Sequence, residues 1–364
     1  MENVEVEQKD SLIQNIKEHK YSNPFLKFKK IIIKENNSAT GLNDIFEIFQ
    51  SFKNGEIYLA SPNKNEYNID IISIENCKLI TSLKGHNNYI NIVKYFINEK
   101  NKKEFLVTVD KGNIIIIWDI SNNYSNFCQI KDESRGGFIS STLLIFNIED
   151  LFNQINNYII YSFNNALYTK IYSLDGKQKI RNLENINKDK TYYLMHWFNK
   201  KDNNNYLIEL GTSNVYIYDL VKENSNYNIR SRKYKDSKIN CGFIYNKNNH
   251  DFLIASSENY GNIMIFDLEN KIEFNNNISL YKRINKSKIY ISYILQWSEK
   301  YMIVCEYFNR GFKIIDIDTF KIITSINDGK HLGAIICGKK FFHPILGECL
   351  LSAGQDNNII LWGK

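Results

Sequence analysis

Apolar residues along this chain fall in short runs, usually four to eight long and rich in Ile, Val, Tyr and Phe, with clusters of Asn, Asp, Ser, Gly and Lys between them. Runs of that length bounded by turn-forming residues predict strands and turns rather than helices. The clearest strand, residues 113–120, recurs in degenerate form at 215–220, 263–268, 312–317 and 359–362, with weaker copies at 67–74 and 167–174. One anchor from each copy gives Ile72, Trp118, Tyr172, Tyr218, Phe266, Ile315 and Trp362, separated by 46, 54, 46, 48, 49 and 47 residues. Seven anchors at nearly constant spacing mark a repeat array.

Two repeats carry more than the strand. His86 precedes Trp118 by 32 residues and follows Gly85, and His331 precedes Trp362 by 31. Gly85-His86 followed by Trp118-Asp119 resembles the signature of WD40 repeats, whose units are four-stranded propeller blades of roughly 40 to 45 residues. The resemblance implies an all-β fold, a seven-bladed WD40-type β-propeller. In that family a His, a Ser or Thr, an Asp and a Trp form a hydrogen-bonded chain. His331, Ser352, Asp356 and Trp362 match by position, as do His86, Thr108 and Trp118. Asp110 stands two residues further from its Trp than Asp356 does, so its turn is expected to differ. Elsewhere the dipeptide becomes Tyr172-Ser173, Tyr218-Asp219, Phe266-Asp267 or Ile315-Asp316.

Trp362 lies two residues from the last residue, so the final blade is expected to borrow its fourth strand. The segment 25–34 is the natural donor, closing the ring and removing two sheet edges. The domain expectation is a polar N-terminal extension over 1–21, flexible or weakly helical, and a propeller over 22–364. Polar stretches at 98–103, 200–205 and 246–250 are expected to be hairpin loops. The long interval containing 146–156 is expected to hold a loop or short helix.

Composition narrows the class. The chain has 364 residues, 43% hydrophobic and 24% charged, with three prolines and a net charge of +6. Such a chain can bury a sizeable core and is neither collagen-like nor proline-rich and disordered. An acidic, polar start without an apolar stretch argues against a secretory signal, and no apolar run approaches the roughly 18 residues needed to span a bilayer. An intracellular protein, cytoplasmic or nuclear, is expected. The six cysteines are far apart without a C-x-x-C pair, as packed free thiols would be.

Catalytic patterns are near misses. Residues 333–339 imitate a phosphate-binding loop, but Lys340 stands where Ser or Thr must be, and a first blade strand is the better reading. Residues 211–215 lack the last glycine of a nucleophile elbow and precede a strand, as a turn would. Asp316 and Asp318 could pair, or cap the turn after the strand. His19, His196, His250 and His343 lack neighbours at ligand spacing, so no metal and no cofactor is expected.

Basic clusters hold Arg230, Arg232, Lys233 and Lys235, and Lys282, Arg283, Lys286 and Lys288. They could bind phosphates of RNA or of an inositol lipid, or blunt exposed outer strands. Phosphoinositide-binding propellers carry a paired-arginine motif, and the nearest sequence, Asn309-Arg310-Gly311, has one arginine in a different place. The function implied by the WD40 resemblance is therefore a non-enzymatic scaffold binding protein partners in an intracellular complex. A phosphate-ligand-binding propeller is the alternative. Asn88, Tyr89 and Gly333, close behind the family histidines, are the candidate partner-binding residues.

Overall fold

The computed structural model describes residues 29–34, 46–63, 66–98, 101–131, 141–148, 156–163, 168–174, 179–184, 191–212, 214–220, 226–230, 238–257, 261–270, 272–273, 278–279, 291–307, 311–326, 331–356 and 358–363. Among them every regular element is a strand, and the strands form seven antiparallel sheets.

In chain order, β1 (Lys29–Lys34) stands apart from its neighbours in sequence. The first sheet holds β2 (Glu47–Gln50), β3 (Ile57–Asn63), β4 (Asn68–Ser73) and β5 (Leu79–Leu83). The second holds β6 (Ile90–Asn98), β7 (Lys103–Asp110), β8 (Ile114–Asp119) and β9 (Ser125–Lys131). The third is β10 (Ser141–Ile148), β11 (Asn156–Phe163), β12 (Tyr168–Ser173) and β13 (Lys179–Glu184). The fourth is β14 (Tyr193–Asn199), β15 (Asn204–Leu210), β16 (Asn214–Asp219) and β17 (Asn226–Arg230). In the fifth, β18 (Ile239–Lys247), β19 (His250–Ser257) and β20 (Asn262–Asp267) are followed by two short pieces, β21 (Ile272–Glu273) and β22 (Ile278–Ser279), which both pair with β20. The sixth is β23 (Ile291–Gln296), β24 (Tyr301–Glu306), β25 (Phe312–Asp316) and β26 (Ile322–Ile326). The last contains β27 (Ile335–His343), β28 (Gly347–Gly354), β29 (Ile359–Gly363) and, on the far side of β29, β1.

The pairing of β1 with β29 runs from Lys29 opposite Gly363 to Lys34 opposite Ile359. It is the fourth strand of the last sheet. Of the expected donor segment, residues 25–28 lie outside the described residues, as does the whole of 1–21.

All seven anchors occupy the third strand of their sheets, each opposite an apolar residue of the second. The pairs are Ile72 with Leu59, Trp118 with Leu106, Tyr172 with Ile159, Tyr218 with Leu207, Phe266 with Leu253, Ile315 with Met302 and Trp362 with Leu350. All seven second-strand partners are fully buried. A third strand is covered on both faces, so it reads as a continuous apolar run instead of alternating. In β16, Tyr216 and Tyr218 join a cluster with Ile160 and Ile171 of the third sheet, whereas Val215 and Ile217 join one with Leu253, Met264 and Phe266 of the fifth.

The residue after the anchor closes the next turn. Buried Asp119, Asp267 and Asp316 accept from backbone N–H groups two or three positions on: Asn122, Glu269 and Asn270, and Asp318 and Thr319. Asp316 is thus a turn cap, and Asp318 is exposed and paired with Lys247 at 2.6 Å, so the two do not act as a carboxylate pair. The following apolar residue donates its N–H back to the start of the second strand, as Ile120 does to Glu104, Leu220 to Asn205 and Leu268 to Asp251. The 246–250 hairpin turns on Asn248 and Asn249, both at positive φ, the conformation that two-residue hairpins require and Asn tolerates. In the long interval, residues 146–148 are the end of β10 and not a loop or helix.

The chain divides into two contact-dense units, one of residues 1–127 with 328–364 and the other of residues 128–327. The first contains the first, second and last sheets. Leu59 and Ile72 pack there with Leu351 and Leu361, and Ala60 and Ile71 with Leu106 and Trp118. The second contains the third to sixth sheets.

Candidate interaction surface

Two buried side-chain chains stand in the first unit. In the second sheet the carboxylate of Asp110 accepts from His86 Nδ1 at 2.9 Å. His86 Nε2 is left as an acceptor, and the Thr108 hydroxyl lies 2.7 Å from it. Thr108 in turn accepts from Trp118 Nε1 at 2.9 Å. His86 and Thr108 then each have one donor and one acceptor role between the donor Trp118 and the acceptor Asp110, which assigns the histidine tautomer. In the last sheet Trp362 Nε1 donates to Ser352 at 2.7 Å, Ser352 lies 2.8 Å from His331 Nε2, and His331 Nδ1 donates to Asp356 at 3.0 Å. Asp356 also accepts from Leu332 N–H at 2.7 Å. Burial alone would raise the Asp356 pKa, but the bonds from His331 and from backbone N–H groups outweigh it and hold the carboxyl below its ordinary value.

The two turns differ, as the spacing implied. Asp110 is the last residue of β7, and its Oδ1 accepts from Gly112 and Ile114 N–H. Gly354 holds the equivalent place at the end of β28, since each stands four residues beyond the partner of its Trp. Asp356 reaches the histidine from two residues further on. A methyl group on Gly354 would overlap His331 Nδ1 and Asp356 Oδ1, so this position admits no side chain. Likewise a Cβ at Gly85 would meet Trp118 at 3.1 Å, which explains the glycine before the histidine.

By the same register Thr108 corresponds to Ser61, Tyr161, Glu209, Ala255 and Val304 in the other sheets. Among the described residues none of these sheets repeats the His–hydroxyl–Trp chain. Glu209 instead is buried and bonded to Thr191 and, at 3.3 Å, to Thr169 of the third sheet, while Thr191 receives Ser162 at 3.1 Å. At the start of the second strand another acid recurs. Glu104 accepts from Ser51 Oγ and Phe52 N–H of the first sheet, and Asp251 accepts from Trp197 Nε1 of the fourth. Motif reading passed over these inter-sheet acceptors because acidic residues in strands carry no short signature.

The loop behind His86 builds a surface. Asn88 Oδ1 accepts from Tyr89 N–H at 2.8 Å, and Tyr89 O accepts from Lys111 N–H at 2.8 Å. Tyr89 is 38% exposed. It meets Tyr67 edge-on at a centroid distance of 5.2 Å, and the Lys111 ammonium lies 5.2 Å from its centroid. Tyr67 comes from the β3–β4 turn and Lys111 from the β7–β8 turn, so three loops of neighbouring sheets converge. Gly333 plays a different part: a Cβ there would come 2.9 Å from Asp356 N, and the side chain beside it, Leu332, is among the most exposed apolar groups.

Of the basic clusters, the structure describes only the backbone of Arg230, at the end of β17. Arg232, Lys233, Lys235, Lys282, Arg283, Lys286 and Lys288 lie outside the described residues. His196 bonds Asn205, His250 lies between Asp267 and Glu269, and His343 accepts backbone N–H groups; His19 is outside the described residues. Among the described residues no group of three His, Cys, Asp or Glu is placed to hold a metal ion, and no helix is long and apolar enough to cross a membrane.

One signal of the two complete chains lay in the sequence unread. The outer strand before each is nearly the same, Lys78-Leu79-Ile80-Thr81-Ser82-Leu83 before His86 and Lys321-Ile322-Ile323-Thr324-Ser325-Ile326 before His331. Both strands carry a bulge opposite the anchor, which leaves Ile80 and Ile323 without a partner in the ladder.

No family model and no curated protein matches the sequence. Solved structures do resemble it. The β-propeller domain of Cps50 (Swd1) from Myceliophteria thermophila superposes with a TM-score of 0.62 at 13% identity, over 92% of this chain and 99% of that one. Raptor from Chaetomium thermophilum gives a TM-score of 0.60 at 13% identity, over 98% of this chain, which spans only 30% of the Raptor chain. At that identity the likeness establishes the fold. The seven sheets are the blades of a β-propeller, as the WD40 resemblance implied.

Proposed function

We propose that this propeller is a non-enzymatic platform that binds a protein partner in an intracellular complex, through the face formed by Asn88, Tyr67, Tyr89 and Lys111. The observation that carries the reading is the Tyr67–Tyr89–Lys111 cluster. An exposed aromatic pair with a cation beside it is held by a backbone hydrogen bond and an Asn cap, so little ordering remains to be done on association. Tyr in such a place offers a large contact area with few rotatable bonds and a polar tip, the chemistry of interface anchors. The His86 and His331 chains underpin this reading. Each fastens a loop to the second and third strands behind it, and in the second blade that loop carries Asn88 and Tyr89.

The test is affinity purification of the tagged protein from its native cells at moderate and high salt, beside a Tyr89→Ala variant. A stoichiometric protein partner that survives high salt and is depleted by about tenfold or more in the variant supports the reading, since central aromatic anchors commonly contribute 2 kcal/mol or more. Retention of RNA or lipid that salt removes, with no effect of Tyr89→Ala, would move the function to the basic clusters.

A further inference from the structure

We propose that the partner segment seated on the Tyr67–Tyr89 face is acidic, a stretch of protein in which a carboxylate stands beside an apolar side chain. This deepens the platform reading and rests on it. The sign of the charge follows from which groups the fold has already used. Asp110, the carboxylate next to Lys111 in sequence, is buried, with Oδ2 taken by His86 and Oδ1 by the N–H groups of Gly112 and Ile114. Exposed Glu66, beside Tyr67, accepts from Asn68 Nδ2 at 2.7 Å. Among the described residues the Lys111 ammonium has the Tyr89 ring as its neighbour, at 5.2 Å, and no carboxylate. Exposed Lys84, in the loop that carries His86, is a second cation without a counter-charge among the described residues.

Asn88 adds direction. Its Oδ1 accepts from Tyr89 N–H at 2.8 Å, which assigns the amide and leaves Nδ2 as a pair of donors. Nδ2 lies over exposed Gly112, where a Cβ would come 3.7 Å from it, so the missing side chain leaves the amide uncovered. Among the described residues Nδ2 has no acceptor. The patch therefore offers an ammonium and an amide donor beside a partly exposed aromatic pair, and no free acceptor of its own charge. One ammonium balances one carboxylate, whose two oxygens match these two donors. A phosphate carries nearly two charges and three acceptor oxygens and is the ligand of arginine clusters, whereas residues 1–127 and 328–364 contain no arginine at all. Tyr67 and Tyr89 then take the apolar side chain next to the carboxylate and supply most of the contact, while the charge fixes orientation.

Fluorescence anisotropy of the full chain with three labelled peptides tests this. In the first, glutamates flank a central leucine and phenylalanine; the second has glutamine for every glutamate, and the third has phosphoserine for one glutamate and glutamine for the rest. Wild type is expected to bind the glutamate peptide about tenfold more tightly than the glutamine peptide. Lys111→Met keeps an apolar stem on the Tyr89 ring, and Asn88→Asp keeps the acceptor for Tyr89 N–H, yet each should bring the two affinities within about twofold. Equal binding of the glutamate and glutamine peptides by wild type would overturn the proposal, as would no binding of either or a preference that survives both variants. Tighter binding of the phosphoserine peptide would assign the face to a phosphorylated partner and overturn it. So would a dimer, seen by light scattering, that Lys111→Met disperses, since the occupant would then be a second copy of the chain. Tyr89→Ala separates the two levels of the argument. If it weakens the glutamate and glutamine peptides alike while wild type does not distinguish them, the docking face stands and only its acidic partner fails; if it weakens neither, the face itself is lost.

Discussion

Gly354 shows how much one side chain can decide. The His331–Asp356 bond passes through the space that any Cβ there would fill, and both side chains are nearly fully buried. Gly354→Ala should therefore separate the pair, leave polar groups unsatisfied and cost about 2–4 kcal/mol, measurable as a shift in the urea midpoint. Gly347→Ala, where nothing lies near the Cβ but φ is +71°, should cost less, about 1 kcal/mol. Asp316 makes a pH prediction. Bonds from Thr319 N–H, outweighing a smaller effect of burial, hold its carboxyl below the ordinary value. A depressed carboxyl stabilises the fold above the unfolded pKa of about 4, and that contribution is lost as pH falls through the folded value. Asp267 and Asp356 are lowered as well, so unfolding free energy should drop steeply between about pH 5 and pH 3. Asp316→Asn should be less stable at pH 7 yet show a shallower acid limb, as followed by urea unfolding at each pH.

Between elements, stability rests on pairs that reach from one sheet to the next within a unit. Glu104 collects Ser51 Oγ, Phe52 N–H and the Tyr95 hydroxyl, so Glu104→Ala removes an acceptor from three donors at once, of which, among the described residues, only Tyr95 has another in Gln50 O. A loss of about 2–3 kcal/mol is expected, against under 1 kcal/mol for exposed Lys247→Ala, whose partner Asp318 stays solvated. A larger effect belongs to β1. Deleting residues 1–34 would leave β29 as an uncovered edge whose four residues from Ile359 to Trp362 are apolar and buried. Such an edge invites pairing with other chains. The truncated protein should aggregate at concentrations where the chain lacking only residues 1–10 stays soluble, as read by light scattering. Bulges opposite Ile72 and Ile315 on the outer strands β5 and β26 fit the same need, since a bulge disrupts the ladder that an incoming strand would extend.

For the whole molecule the cysteines provide a reporter of integrity. All six are thiols outside disulfides, four are buried, and burial pushes the Cys241 and Cys349 thiols up to about 12. Thiolate is the reactive form, so native protein at pH 8 should alkylate slowly at Cys241, Cys305, Cys337 and Cys349 and fastest at half-buried Cys128, with full labelling only in denaturant. Mass-resolved labelling would reveal whether one unit opens before the other. The fold itself does not name a partner: 1012 chains of known structure resemble it, and function resides in the loops grafted on it.

The repeat period, the third strands and the two histidine chains were legible in the sequence because each depends on local spacing. A strand buried on both faces must be continuously apolar, and a His–hydroxyl–Trp chain needs its Trp ten residues after its Thr or Ser. Long-range packing decided the rest. That Gly354 and Asp110 hold equivalent places, while Asp356 reaches the same histidine nitrogen from a different turn, is visible only in the strand register. Nor could local pattern show that Tyr67, Tyr89 and Lys111, spread over 45 positions, converge in one cluster. Surface loops carry no hydrophobic period, so their meeting is determined by the sheets that hold them and by nothing in their own sequence.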